Sequence, residues 1–283
     1  MKPITLLIAL AAVLSTAVKS QPFIVGTFNL RYDNPKDSGN LWVNRAPAVS
    51  SLLRFHEFDI VGTQEGLRNQ LDDMLKDLPE YACYGAGRDD GRAKGEHSAI
   101  FYKKDRFSLL ESGDFWLSET PEKVGFGWDA QLNRICSWVK LKNKSNGKTF
   151  YVFNAHFDHR GVIARVESGK LAVKKIQAIA GKSPAIFTGD FNGTKESDWY
   201  KFIDNSDLLE DALHQAKHPY IPNGSFNSFR SLNPSDDIID HIFITKQFSV
   251  KRYGILTDTY HGKFPSDHYP VLVTLELKQG PAK

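Results

Sequence analysis

The sequence contains little sulfur: its 283 residues include two methionines and two cysteines, Cys83 and Cys136. Two cysteines can form at most one disulfide. Both lie in aromatic segments typical of strands, which favours two buried free thiols. A disulfide between them is the alternative, because sequence spacing alone does not establish that two Cα atoms are close.

A long hydrophobic run occurs only at the start of the chain. Residues 1–20 combine Lys2, an apolar stretch over residues 4–14 and small residues at Val18 and Ser20. This pattern is typical of a secretory signal peptide cleaved near Ser20, and it is too short to span a bilayer. We therefore expect a secreted or periplasmic protein without a transmembrane segment; a buried N-terminal helix is the alternative. No cysteine lies near the cleavage point, which argues against a lipid anchor.

The chain also lacks a strong net charge. It has 36 basic and 33 acidic residues, and removal of Lys2 and Lys19 with the signal peptide leaves 34 basic residues. This balance gives no sequence-wide attraction for nucleic acid. A local basic cluster of Arg31, Arg88 and neighbouring Arg92 and Lys94 is still compatible with phosphate contacts.

No proline- or serine-rich linker and no solenoid repeat divides the remaining chain, so residues 21–283 are expected to form one domain, most simply a monomer. Predicted strands outnumber predicted helices and follow one another in groups, which favours a layered α+β sandwich. The predicted helices are Arg45–His56, Arg68–Leu78, Arg165–Ala180, Ser197–Asp204 and Leu208–Gln215. The segment from Arg88 to His97 is predicted to be a mobile loop.

The segment Ala185–Gly193 organises the prediction of a functional site. Its apolar run ends on Gly189, Asp190, Phe191, Asn192 and Gly193, so polar side chains project from the end of a rigid strand. The pattern recurs along the chain. Three further predicted strands end on Asn29, Glu65 and His156, and two begin after Asp240 and after Asp267 and His268. If the last two strands are antiparallel to the others, all of these groups meet at one edge.

Each residue type in this set suits a step of phosphoester hydrolysis. Oxygen donors without cysteine fit Mg²⁺, Mn²⁺ or Ca²⁺. Asp190, oriented by Asn192, suits activation of a water molecule. His156 and His268 would donate to phosphate oxygens, and Asp240 would fix the tautomer of a histidine.

The same motifs resemble the endonuclease/exonuclease/phosphatase superfamily. They occur in that family's order as residues 27–30, 63–65, 154–156, 189–192, 239–242 and 266–270. The resemblance implies a four-layer α/β/β/α sandwich of two mainly antiparallel sheets with helices outside, and metal-dependent cleavage of a phosphoester. It implies that Glu65 is the main metal ligand, with Asn29 and Asp267 near the ion. It further implies that Asp190 activates water, while His156 and the His268–Asp240 pair bind the phosphate.

Segments 29–34, 115–121 and 156–159 more closely resemble exported bacterial members of this superfamily whose substrate is unassigned. Four residues near these motifs are candidate substrate-binding groups: Arg31, Arg134, Asp158 and His159. Arg134 could instead form a surface ion pair, and Asp158 could cap the following segment. Three tryptophans could stack on a sugar or base, or could pack between loops and sheet: Trp42, Trp116 and Trp128.

The sequence therefore predicts an exported metal-dependent phosphoesterase that acts on a small or medium phosphorylated molecule, including lipid or sugar phosphates. A secreted nuclease is the alternative within the same class. A carbohydrate-binding sandwich without catalysis is the alternative of another class, although a binding module has no need of a general base beside a metal site. A hydrolase of other esters would require a nucleophile elbow or a zinc triad, and neither motif is present.

Overall fold

In a computed structural model, which describes residues 21–230 and 235–278, two six-stranded sheets pack face to face with helices on both outer surfaces. The predicted signal peptide lies outside the described residues. The strands are β1 (Phe23–Asn29), β2 (Ile60–Gly66), β3 (Tyr81–Tyr84), β4 (His97–Lys103), β5 (Phe107–Trp116), β6 (Ile135–Asn143), β7 (Thr149–His156), β8 (Ala185–Asp190), β9 (Glu210–Asp211), β10 (Asp240–Ile244), β11 (Phe248–Ile255) and β12 (Val271–Leu277). The helices are α1 (Trp42–Phe55), α2 (Arg68–Asp77), α3 (Val162–Ala180), α4 (Asp198–Asp204) and α5 (Ala212–Gln215).

The two sheets have the same number of strands and the same pattern of parallel and antiparallel neighbours. The first has the order β11-β12-β1-β2-β4-β3 and the second has the order β5-β6-β7-β8-β10-β9. Each contains one parallel pair, β1 with β2 and β7 with β8, and the other neighbours are antiparallel. The predicted four-layer α+β sandwich of mainly antiparallel sheets is confirmed.

Strands that are buried on both faces explain the near-continuous apolar runs in the sequence. Along β1, Phe23 and Val25 join the core between the sheets, whereas Phe28 faces α1 and α2. In β8 the neighbours Ile186 and Phe187 likewise belong to the inner core and to the core beneath α3. Successive strand residues point to opposite faces, so each strand contributes to two hydrophobic layers.

Several predicted boundaries were wrong. Helix α1 begins three residues earlier than predicted, so Pro47 lies in its second turn, where it donates no backbone hydrogen bond to the carbonyl of Val43. The predicted helix Leu208–Gln215 is helical only over its last four residues, because Glu210 and Asp211 pair with β10 as strand β9. Here a tertiary strand pairing outweighs local helix propensity.

Both cysteines are free, as the sequence favoured. Cys136 is fully buried in the core beneath α3, and Cys83 lies partly buried on β3 in the opposite sheet. Among the described residues, no helix combines the length and hydrophobicity needed to cross a membrane.

Candidate active site

The topology brings the predicted strand-end groups to one edge of the sandwich. Parallel pairing aligns the carboxyl ends of β1 with β2 and of β7 with β8. The strands β12 and β10 are antiparallel to these pairs, so their starting residues lie at the same edge. The antiparallel arrangement that the sequence analysis assumed for these two strands is therefore present, and it gathers the groups at one edge.

A network of buried polar side chains lies between the sheets, directly beneath these strand ends. Gln64 Nε2 donates to Asn154 Oδ1 over 2.7 Å, and Asn154 Nδ2 donates to the carbonyl of Thr63. The sheets can approach this closely because residue 62 is glycine; a Cβ atom there would lie 2.2 Å from Thr188 Oγ1. These hydrogen bonds between fully buried side chains hold the strand ends above them, although Gln64 Oε1 has no hydrogen-bond partner among the described residues.

Asn29 and Glu65 occupy adjacent strand ends. Asn29 Nδ2 donates to Glu65 Oε1 over 3.2 Å and to Asp190 Oδ2 over 2.9 Å, while its Oδ1 accepts from the backbone of Arg31. The second oxygen of Glu65 accepts from the backbone N–H of Tyr32. The amide nitrogen of Asn29 therefore orients the carboxylates of Glu65 and Asp190.

Three residues of the site have left-handed backbone conformations, which set the directions of their side chains. Arg31, Glu65 and Asn192 have φ angles of 54°, 64° and 50°. Glu65 lies where the pairing of β2 with β4 shifts register between Thr63 and Gly66, as in a β-bulge. Left-handed conformations of residues other than glycine cost about 1–3 kcal/mol each and are concentrated at functional sites.

Asp190 lies at the centre of the site and is almost fully buried. Its Oδ1 accepts from the backbone of Asn192, and its Oδ2 accepts from Asn29. Burial, reinforced by the negative charge of Asp240, raises the pKa of Asp190 to about 7. A carboxylate with a pKa near neutrality is suited to accept a proton from water.

His268 pairs with Asp240, as the motif resemblance implied. His268 Nδ1 is 2.9 Å from Asp240 Oδ2, and its Nε2 is 3.7 Å from Asp190 Oδ2. Burial disfavours the imidazolium, but the carboxylates of Asp240 and Asp190 outweigh this effect and raise the pKa of His268 to about 10. His268 is therefore positively charged at neutral pH.

His156 has the opposite electrostatic environment. Burial, with the charges of Arg134 and Arg88, lowers its pKa well below the usual value. Asn192 Nδ2 donates to the carbonyl of Phe157 and lies 3.0 Å from His156 Nε2, so this nitrogen accepts and the proton resides on Nδ1. That Nδ1 lies 3.8 Å from Glu96 Oε2.

Asp267 and Arg31 form the side of the site nearest Glu65. Arg31 Nε lies 2.8 Å from Asp37 and 3.9 Å from Asp267. Burial raises the pKa of Asp267; the charge of His268 opposes this increase and that of Glu65 adds to it. Glu65 is partly buried and close enough for its charge to act on Asp267, so the two carboxylates offer a divalent cation the oxygen ligands that it prefers.

A second group could also hold a metal ion by geometry alone. Asp190, Asp240 and His268 are all buried, and one potential ligand atom of each lies within 4.8 Å of the others. The hydrogen bond between His268 and Asp240 already accounts for the closeness of this group. Glu65 and Asp267, which both interact with the positive charge of Arg31, provide two carboxylates and therefore suit an oxygen-preferring cation better.

Three of the predicted substrate-binding residues, Arg134, Asp158 and His159, differ in how deeply they are buried. Arg134 is 3% exposed, which excludes the alternative of a surface ion pair. Asp158 lies behind it, accepting from Arg134 Nε over 3.4 Å and from the backbone of Arg160 and Gly161. Asp158 therefore caps its loop and positions Arg134. His159 is exposed, and its Nδ1 accepts from Arg134 Nη2 over 3.0 Å.

These groups surround a cavity of about 460 Å³ at the edge of the sandwich. It is lined by Arg31, Tyr32, Glu65, Arg88, Glu96, Leu132, Arg134, His156, His159, Asp190, Asn192, Phe226, Ile239, Asp267 and His268. This volume suits a small ligand. None of the three tryptophans singled out in the sequence lines it. Trp42 Nε1 donates to Asp73 and Trp116 Nε1 donates to the carbonyl of Arg88, so both serve as packing residues.

Sequence reasoning missed Glu96 as a site residue. The loop predicted to be mobile is closed by hydrogen bonds from the backbone of Gly87, Arg88 and Asp89, and it holds Arg88 against Glu96. Glu96 immediately precedes β4, whose first residue pairs with Gly66 beside Glu65. The rule that strand ends carry the site would have found Glu96 had it been applied to this strand.

Comparisons with known proteins agree with this geometry. A model of the Endonuclease/Exonuclease/phosphatase family matches residues 26–268. A structure of a family protein from Bacteroides thetaiotaomicron is 45% identical, covers 92% of this chain and all of that chain, and has a TM-score of 0.90. A mannosyl-6-phosphatase from the same species is 46% identical, covers 89% of this chain and 99% of that chain, and has a TM-score of 0.87.

The 3'-5'-exoribonuclease subunit Ccr4 of the CCR4-Not complex from Candida albicans is 25% identical over 239 residues. That match covers 66% of this chain but only 30% of the yeast protein. The family model, the structural neighbours and the clustered strand-end groups identify the same protein class. The chain belongs to the endonuclease/exonuclease/phosphatase family of hydrolases that act on phosphoesters.

Proposed function

We propose that this protein is an exported, metal-dependent phosphoesterase whose preferred substrate is a small phosphorylated molecule, with sugar phosphates as the leading class. The observation that carries the proposal is the cavity in which His156, Asp190 and His268 meet Glu65 and Asp267. The similarity to a mannosyl-6-phosphatase over nearly the whole chain supports the substrate class.

Asp190 acts as the general base. Its hydrogen bonds from Asn29 and from the backbone of Asn192 fix the carboxylate, and its pKa of about 7 lets it take a proton from water near neutral pH. The nearby imidazolium of His268 donates to a phosphate oxygen, where negative charge increases during attack. Asp240 keeps that imidazolium charged and oriented.

Glu65 and Asp267 would hold the divalent cation, with Asn29 orienting Glu65 from the side. Bound there, Mg²⁺ or Mn²⁺ would neutralise phosphate charge as a Lewis acid. Arg31 adds a further positive charge beside Asp267. The export of the protein is proposed from the signal-peptide pattern of residues 1–20.

The test is a hydrolysis screen with purified protein in Mg²⁺ or Mn²⁺, in which released phosphate is measured for monoesters, and the cleaved fragments or head groups are measured for diesters. Its substrates are mannose 6-phosphate, glucose 6-phosphate, inositol phosphates, nucleotides, a phospholipid, RNA and DNA. A parallel preparation of Asp190→Asn identifies phosphate released by contaminants. Preferred hydrolysis of a sugar phosphate supports the proposal, and no hydrolysis of any phosphoester contradicts it.

A nuclease is the second candidate, because the Ccr4 relative is named as an exoribonuclease subunit. Arg92 and Lys94 are exposed on the loop that carries Arg88, where they could contact a longer phosphate backbone. The same screen separates the two candidates by comparing RNA and DNA with the best sugar phosphate.

A further inference from the structure

One wall of the cavity is built from two buried arginines that retain free hydrogen-bond donors. Arg134 and Arg88 are 3% and 8% exposed, and both line the cavity. Among the described residues, Arg134 Nη1 and Arg88 Nε have no hydrogen-bond partner. Buried donors are normally satisfied by protein, water or ligand, so these two nitrogens indicate a group with acceptor oxygens.

The charges in this wall are balanced. Arg88 Nη1 lies 2.5 Å from Glu96 Oε2, and Arg134 Nε lies 3.4 Å from Asp158 Oδ2. Each guanidinium therefore already has a carboxylate partner, which leaves little net positive charge for a second phosphate. A hydroxyl group both donates and accepts, so it can use guanidinium donors and a neighbouring carboxylate together.

The wall adjoins the groups assigned to the phosphate. Glu96 Oε2 is 3.8 Å from His156 Nδ1, and Asn192 links His156 to the segment that carries Asp190. Leu132 and the partly buried Phe226 also line the cavity, and they offer apolar surface for the C–H groups of a ring. A phosphate placed beside His156 would thus have its alcohol portion next to the arginine wall.

We propose that Arg88, Glu96 and Arg134 form a hydroxyl-binding subsite, which selects phosphoesters whose alcohol is a polyhydroxylated ring such as a hexose. This inference rests on the proposed phosphoesterase function and adds the part of the substrate that the site recognises. Asp158 is a positioning residue in this arrangement, because it contacts Arg134 and does not line the cavity. His159, bonded to Arg134 Nη2, continues the wall toward solvent.

The test compares mannose 6-phosphate with 4-nitrophenyl phosphate, a monoester that carries no hydroxyl groups on its alcohol. For Arg134→Lys, kcat/KM should fall at least tenfold more for mannose 6-phosphate than for 4-nitrophenyl phosphate, mainly through KM. A site built to bond substrate hydroxyls discriminates strongly for them. The exposed Arg252 of β11, which does not line the cavity, provides the matched control, Arg252→Lys, which should treat both esters like the wild type. Equal losses for both esters in Arg134→Lys would overturn the subsite.

Arg88→Lys is the second variant, for the case that Arg134→Lys does not fold as judged by circular dichroism; it should show the same selective loss. Mannose 1,6-bisphosphate tests the charge argument. A kcat/KM at least tenfold above that of mannose 6-phosphate would assign the wall to a second phosphate and would contradict the proposal.

Binding separates this inference from the proposed function. If the wild type hydrolyses neither ester, the phosphoesterase assignment fails, and saturation-transfer NMR of chelator-treated protein then decides on the subsite. Transfer to the ring protons of mannose 6-phosphate that is lost in Arg134→Lys, but retained in Arg252→Lys, supports the subsite. Absence of transfer in the wild type, or its persistence in Arg134→Lys, contradicts it.

Discussion

The side-chain amide of Asn29 donates a 2.9 Å hydrogen bond to Asp190, and this bond joins the ends of two strands in different sheets. The two residues are 161 positions apart in the sequence. The site therefore lies on the seam of the sandwich, where each sheet contributes half of the groups. Its geometry depends on how closely the sheets approach, and the following predictions test the roles of individual groups.

Replacement of the proposed general base should abolish most of the activity without unfolding the protein. Asp190→Asn keeps the shape of the side chain but cannot accept the proton from water, so kcat should fall about a hundredfold or more. The measurement is steady-state hydrolysis of the best phosphoester, with melting temperature as the check on folding. Asp198→Asn, at a position whose side chain is 84% exposed, is the matched control. Wild-type turnover by Asp190→Asn would show that water is activated elsewhere.

His268 and Asp240 should act as one unit. We expect His268→Gln and Asp240→Asn each to lower kcat/KM by at least tenfold, since the imidazolium loses its charge in one variant and its orienting carboxylate in the other. The double variant should lose little more than the worse single variant, because residues that act together are not additive. The measurement is a double-mutant cycle in kcat/KM. Fully additive losses would show that the two residues act independently.

Activity should require a divalent cation. Treatment with a chelator should abolish hydrolysis, and Mg²⁺ or Mn²⁺ should restore it, because the donor set offers oxygen ligands. Glu65→Gln should raise the Mg²⁺ concentration for half-maximal activity by tenfold or more. Glu122→Gln, at a side chain that is 73% exposed, should leave it unchanged. Full activity of metal-free protein in chelator would contradict the metal assignment.

Small phosphoesters should be better substrates than duplex DNA. The expected mature chain has nearly balanced charge, and Arg31 and Arg88 are already paired with Asp37 and Glu96. Few phosphate contacts release few counterions, so the rate should depend weakly on salt. The measurement is kcat/KM for plasmid DNA and for the best small phosphoester at low and moderate salt. Faster cleavage of DNA with a steep loss of rate at higher salt would favour the nuclease candidate.

Both cysteines should resist modification in the folded protein. Burial raises the pKa of Cys83 to about 12 and that of Cys136 well above its usual value, so neither forms appreciable thiolate at pH 8. A colorimetric thiol reagent at pH 8 should detect almost no reaction in minutes, and two thiols after denaturation in guanidinium. Reaction at Cys83 should accelerate as the pH rises toward its pKa. Fast reaction of one thiol in the native protein, or none after denaturation, would be inconsistent with these environments.

The local pattern in the sequence was sufficient to locate most of the site. Apolar strand segments followed or preceded by a polar residue identified Asn29, Glu65, His156, Asp190 and Asp240, because strands buried on both faces are mostly apolar and a polar group at the strand end stands out. The same reasoning anticipated the layered α+β fold and two unpaired cysteines. It was weaker at helix boundaries, where the pairing of Glu210 and Asp211 with β10 overrode helix propensity.

Only the tertiary structure decided which of these groups touch. Arg134 immediately precedes β6, as the sequence predicted. Its burial, however, depends on contact with Asp158, which lies in a loop 24 residues away in the sequence. Glu96 reaches His156 because β4 lies beside β2 in one sheet while β7 faces it from the other. The sequence itself determined the chemistry at each strand end through residue type and the two-residue period. The contacts across the seam required the packed sheets, since no local pattern encodes a distance between residues far apart in the chain.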